Sequence, residues 1–253
     1  MKYNNKNSIG GRMKQNYEEI FKYKLPERMP VIIRLDGRAF HTLTKKAEKP
    51  FDSVFITLMD NTVKYLCKNI DTCQLAYIQS DEISLLLHNY KRLNTQSWFN
   101  NEIQKICSIS AGMASSYFTI KYNDNFNSEM IATRDGYVQP NNIYIQFDSR
   151  CFVLPEAEVC NYFIWRQKDW ERNSIQMLAQ SLYSHKELHK KNNSELQEMC
   201  FQKGKNWNDL RMDLKRGRCV KKNEDGEWFV DNEISIFTQD RNYIEKYLET
   251  EEG

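Results

Sequence analysis

Three observations predict an α+β fold on the ferredoxin-like split βαβ plan. Short β-branched or aromatic runs begin at Val31, Gln74, Ile83 and Ile143. Two intervening stretches, from Phe51 to Ile70 and from Phe99 to Tyr122, carry apolar residues at helical spacing. The resulting order is strand, helix, strand, strand, helix, strand, with a helical and β-hairpin C-terminal extension beyond Pro155. A chain of 253 residues, 40% hydrophobic and 13% aromatic, can bury the core such a fold needs.

Taken in order, residues 1–30 form a polar N-terminal arm with a short helical pattern at Tyr17, Ile20, Phe21 and Tyr23 that stops at Pro26. Residues 31–154 form the predicted palm domain, since this strand order is also the core of polymerase palms and nucleotide cyclases. Its first strand is Val31 to Leu35. Val54, Phe55, Leu58, Met59, Thr62, Val63 and Leu66 then mark one helix face, with Asp52 near its start, where an acid suits the dipole. Gln74 to Ile78 and Ile83 to Leu87 form a hairpin around the polar tip Gln79-Ser80-Asp81-Glu82. The second helix face runs through Ile103, Ile106, Ile109, Ser110, Met113, Ala114, Tyr117 and Phe118. A long loop from Asn123 to Asn142 precedes the fourth strand, Ile143 to Asp148. In residues 155–253 two helical stretches follow, one with Tyr162, Phe163 and Trp165 and one with Ile175, Leu178, Ala179 and Leu182. A closing hairpin turns at Asn223-Glu224-Asp225-Gly226.

Composition removes several function classes. No apolar run is long enough to cross a bilayer and the polar start has no leader character, so the expected location is cytoplasmic, with no membrane partner. Seven scattered cysteines without a close pair fit reduced thiols. Only 9 residues are glycine, and neither G-x-x-x-x-G-K-[ST] nor G-x-G-x-x-G occurs. Any nucleoside triphosphate must then be held by metals and by arginine or lysine side chains.

The chemistry-bearing pair is Asp36 and Asp81. Each follows an apolar run at a turn, and in the split βαβ plan the end of the first strand and the tip between the second and third are neighbours. Two carboxylates brought together there make a platform for divalent metal in phosphoryl transfer. Arg34 alternates inward on the same strand, which calls for a phosphate or carboxylate partner. Glu82 could lie in a metal's outer shell or be a solvated hairpin residue. His185 and His189 are four apart, but Glu187 does not sit beside the first histidine as H-E-x-x-H requires, so a solvated helix face is expected.

The net charge is only +2, so a nucleic acid would have to meet a local basic face. Lys186 to Lys222 supplies one, with 11 Lys or Arg against 5 Asp or Glu. Phe201, Trp207 and the Lys203-Gly204-Lys205 and Arg216-Gly217-Arg218 stretches suit phosphate and stacked bases, making Lys203, Lys205, Lys215, Arg216 and Arg218 the expected RNA contacts.

At Arg34-Leu35-Asp36-Gly37-Arg38-Ala39-Phe40-His41, then Lys49-Pro50 and Ala76-Tyr77-Ile78-Gln79-Ser80-Asp81-Glu82, the chain closely resembles the tRNA-histidine guanylyltransferase family, in its guanylyltransferase-like branch of 3′-5′ RNA polymerases. The resemblance continues through Phe147-Asp148-Ser149-Arg150 and Tyr162-Phe163-Ile164-Trp165-Arg166-Gln167 to Lys215-Arg216-Gly217. It implies two Mg2+ ions on Asp36, the Gly37 carbonyl and Asp81. It also implies ATP, GTP or other triphosphates near Arg34, Gly37, Arg38, Ala39, Phe40, His41, Lys49, Ser80, Asp81 and Lys105, and a homotetramer acting on tRNA.

The chain departs from the family at two places. Glu171-Arg172-Asn173-Ser174-Ile175-Gln176-Met177 stands where the eukaryotic enzymes carry H-I-N-N-L-Y-N, and Asn100 and Asn101 stand where basic residues are common. The first departure favours templated repair of 5′-truncated tRNA over addition of the extra guanine to histidine tRNA. Rival readings are a nucleotide cyclase, which would not need the basic extension, and a catalytically idle tRNA-binding module, against which the intact Asp36 and Asp81 speak.

Overall fold

The computed structural model describes residues 8–92, 94–126, 131–133, 136–138 and 143–249. The arm opens with α1 (Ile9–Met13), capped by Ser8, whose hydroxyl accepts from the Gly11 N–H at 3.0 Å. The helical pattern expected at Tyr17 to Tyr23 is only a pair of irregular turns reaching Phe21, and its aromatic side chains stay exposed. The core elements then follow as β1 (Val31–Gly37), α2 (Phe40–Leu43), α3 (Ser53–Asn69), β2 (Cys73–Gln79), β3 (Glu82–Leu87) and α4 (Ile103–Phe126). A small separate hairpin, β4 (Ile131–Thr133) and β5 (Gly136–Val138), precedes β6 (Phe147–Val153). Next come α5 (Glu156–Gln180), α6 (His185–Leu188), α7 (Asn193–Gln202), α8 (Met212–Arg216), β7 (Arg218–Lys222), β8 (Trp228–Asp231) and α9 (Asn242–Glu245).

One antiparallel sheet, ordered β6-β1-β3-β2-β7-β8, carries the fold. Its first four strands are the predicted split βαβ core, and the C-terminal hairpin, turning at Gly226 with φ +80°, extends that sheet through β2. Strand alternation sorts the apolar residues onto two faces. Val31, Ile33 and Leu35 pack with Leu58, Met59 and Val63 of α3 and Ile106, Ala114 and Phe118 of α4. Ile32, Tyr77 and Leu86 pack on the other side with Val159 and Phe163 of α5 and with Ile234, Phe237 and Ile244. Asp52 caps α3, accepting from the Phe55 N–H at 2.8 Å.

Three expectations need correction. The fourth core strand is Phe147–Val153 and not Ile143 to Asp148. The backbones of Ile143 and Ile145 are taken instead by side chains of α4, Asn123 and Thr119, and Tyr144 is exposed. The expected loop from Asn123 is helical to Phe126 and holds β4 and β5, while 127–130, 134–135 and 139–142 lie outside the described residues. The two helical stretches after Pro155 are one helix of 25 residues. All seven cysteines are free thiols, as expected, and among the described residues no group of three metal-binding side chains involves His185 or His189. No helix of the described residues is long and apolar enough to cross a membrane.

Candidate active site

Along β1, Ile32 points into the α5 side of the sheet, so Arg34 and Asp36, two and four residues on, stand on that same face. Asp36 lies opposite Glu82 of β3 and opposite Asp148 of β6. The Gly37 N–H donates to the Asp81 carbonyl at 3.2 Å, tying the end of β1 to the β2–β3 tip. The tip bends sharply at Ser80, with φ +48°. The structure therefore brings Asp36, Gly37, Ser80 and Asp81 together at one edge.

Both carboxylates hold their protons above the usual range. Asp81 is pushed up to about 6, first by burial and also by the charge of Asp36. Asp36 is raised by burial and by Asp148. Two neighbouring cations are engaged elsewhere, Arg150 with Asp148 at 2.8 Å and Arg166 with Glu82 at 2.7 Å and Asp169 at 2.9 Å, while Arg34 partly offsets the charge of Asp36. Two half-buried carboxylates beside a backbone carbonyl offer the oxygen donors that a hard divalent cation takes, so Asp36, Asp81 and the Gly37 carbonyl suit Mg2+.

Gly37 cannot carry a side chain: an added Cβ would lie 2.3 Å from the Phe40 ring. That ring is buried against Phe55, Phe118 and Phe147. Phe40 is thus a core residue beneath the metal edge. Ala39 takes a left-handed φ of +57° to start α2, and Arg38 is held by Gln146 through its backbone N–H and its guanidinium, both at 2.8 Å. His41 is exposed.

Beside this edge Lys49 and Ser80 line a pocket with Pro50, Phe51, Met177 and Arg218. Trp170, 3% exposed, also lines it, and its indole N–H has no partner. Lys105 is not brought here. It pairs with Glu102 at 3.3 Å, five residues, or about 7.5 Å of helix rise, before Ser110, whose hydroxyl meets Ser149 of β6 at 2.8 Å.

The expected RNA contacts separate into two kinds. Lys203 and Lys205 are exposed. Lys215 donates to the Asn208 carbonyl and Arg216 to the Ile234 carbonyl, so each already holds backbone. Arg218 is buried, 2.6 Å from Asp60, and does not belong to an exposed basic face.

Sequence reasoning left Glu82 open and missed its partner. Arg166 grips it with both Nε and Nη2 at 2.7 Å, so Glu82 is neither solvated nor free. Gln167 donates to the Ser235 carbonyl at 3.0 Å and accepts from the Phe237 N–H at 2.8 Å, fastening the C-terminal segment to α5. The signal was present: Arg166 and Gln167 continue the buried spacing of Val159, Tyr162 and Phe163, and a charge on such a stripe demands a partner.

An α+β palm with paired, half-buried acids at the end of its first strand and at its hairpin tip narrows the protein to enzymes that work on nucleotide phosphates, nucleotidyltransferases or nucleotide cyclases. The family model for tRNAHis guanylyltransferase matches residues 10–155, more than half of the chain, and the protein belongs to that family. A solved bacterial tRNA(His) guanylyltransferase-like protein in complex with ATP is 45% identical, covering 95% of this chain and 99% of its own, with a TM-score of 0.86. A second such structure, in complex with GTP, is 42% identical over 95% of this chain and 99% of its own, with a TM-score of 0.78. The "probable tRNA(His) guanylyltransferase" of Dictyostelium discoideum is 28% identical over 166 residues, 63% of this chain and 59% of that protein.

Proposed function

We propose that this protein is a Mg2+-dependent 3′-5′ polymerase that restores missing 5′ nucleotides of tRNA by pairing them with the opposite acceptor strand. The observation that carries the reading is the Asp36, Gly37 and Asp81 edge, in a chain whose 45% identical relative was solved with ATP. Metal bound there would offset charge on the attacking and leaving oxygens together. A 5′-monophosphate oxygen attacks the α-phosphorus of ATP and pyrophosphate leaves. The 3′-hydroxyl of the incoming nucleotide then attacks the activated 5′-phosphorus, a new phosphodiester forms and AMP leaves. Ser80 and Lys49 line the pocket beside this edge, which supports a nucleotide-binding role for both.

Templated selection is supported by the segment from Glu171 to Met177. Ser174 accepts the Trp207 indole N–H at 3.0 Å and Ile175 is buried, so two of its positions serve packing. With no protein motif to choose guanine, the opposing base chooses: a wrong base leaves hydrogen bonds unmade, at about 1–3 kcal/mol per unpaired group. The test uses a tRNA lacking its first nucleotide, with the opposing base set to each of four identities. The added nucleotide should follow the Watson-Crick partner. Guanine addition at every identity, or dependence on the histidine anticodon, would defeat the proposal.

A further inference from the structure

α5 buries its whole sheet-facing stripe, from Tyr162 and Phe163 through Arg166 and Gln167 to Trp170, yet Trp165 is 53% exposed. A single exposed apolar residue needs no explanation, but this indole is held in one orientation from behind. The Arg166 guanidinium lies 4.4 Å from its ring centroid and that of Arg34 5.7 Å, and the Tyr162 ring meets it edge-on at 5.9 Å. Arg166 is itself locked by Glu82 and Asp169. Arg34 differs. Its Nε is buried without an acceptor, and it stands two residues from Asp36 on the same strand face, about 7 Å along β1. A flat aromatic surface, a guanidinium with an unmet N–H and the metal-edge carboxylate therefore follow one another across the sheet.

We propose that Trp165 is the platform on which the terminal base pair of the tRNA acceptor stem stacks, with Arg34 meeting the phosphate of that end. The proposal rests on the tRNA reading and adds the residue that positions the RNA. A duplex end presents a flat π face and flanking phosphates, which an open indole backed by guanidinium groups complements in shape and charge. The base of a free triphosphate has a different home. The concave pocket of Pro50, Phe51, Phe55, Ile56 and Met177 is apolar and partly enclosed, and Trp165 does not line it.

The test compares wild type, Trp165→Leu and Trp165→Phe as full chains, on a 5′-truncated tRNA carrying 2-aminopurine in its terminal pair. Stacking on Trp165 quenches that fluorophore, so Trp165→Leu should relieve the quenching and raise KM for the tRNA about tenfold. The triphosphate KM should hold. Trp165→Phe should restore most of the quenching and of the tRNA KM, because a ring and not apolar bulk is required. An unchanged tRNA KM in Trp165→Leu, a rise in triphosphate KM instead, or a changed oligomeric state on sizing would each overturn the proposal. Quenching by a wild-type protein that transfers no nucleotide would uphold the platform while defeating the polymerase reading.

Discussion

The metal edge and the basic segment from Lys203 to Arg218 both attract notice as charge, yet they use it in opposite ways. At the edge, Asp36 and Asp81 are half-buried and keep raised proton affinities, while Arg150 and Arg166 are engaged by other acids. In the basic segment most of the cations are already occupied: Arg218 by Asp60, Arg216 by the Ile234 carbonyl and Lys215 by the Asn208 carbonyl. Uncompensated charge held against its own solvation cost marks a site, whereas a count of charges along the chain does not.

The comparison breaks first at the edge. Asp36→Asn or Asp81→Asn should lower nucleotide transfer by several orders of magnitude with circular dichroism unchanged, because each removes a carboxylate of the proposed metal site. Activity near wild type in either variant would show that the carboxylates are only a turn. The basic segment should divide under mutation. Arg218→Gln leaves Asp60 buried without its partner and should cost about 3 kcal/mol in urea unfolding. Lys203→Gln with Lys205→Gln should stay within about 0.5 kcal/mol, and its effect should fall on tRNA binding, whose log-log salt slope drops by about 1 per lost phosphate contact. Equal stability losses would erase the distinction.

The edge should also show a pH dependence. Asp81 is pushed up to about 6 in the fold from the usual 3.8 of an exposed aspartate, so its folded form favours the proton. That contribution to stability is full below 3.8 and is lost as pH rises through about 6. In chelator, wild type should therefore lose about 1–2 kcal/mol relative to Asp81→Asn between pH 4 and 7, after allowance for screening of a partly exposed group. Melting temperatures across that range check it. Mg2+ at pH 7 should recover the stability lost by wild type and not by Asp81→Asn, since the cation binds the ionised carboxylates of the folded form.

The edge was legible because strand alternation and an Asp at a turn are local signals, and the order of elements turns them into neighbours. Asp36 and Asp81 come together without knowledge of any side-chain contact. Arg166 and Glu82 are 84 residues apart, and only the buried stripe of α5 hints that the arginine needs an acid. Ile143 to Ile145 failed for another reason. Its alternation suits a strand, but Thr119 and Asn123 of α4 claim its backbone first, and pairing with β1 begins at Phe147. Lys105 was carried by the resemblance alone, and the position of α4 sets it beside Glu102 at the other end of the helix.

The joining of β7 to β2 also governs when the molecule can become whole. Tyr77 donates to the Arg216 carbonyl across 139 residues of chain, and Arg218 reaches Asp60 across 158. Contacts of that separation close large loops and belong to the slow, late part of folding. During synthesis, which runs at about 5–20 residues per second, the four-stranded core would emerge with the outer flank of β2 open for several seconds. The pocket beside Ser80 acquires its Arg218 wall only when β7 docks. The wall of this pocket is therefore completed only after the palm has collapsed.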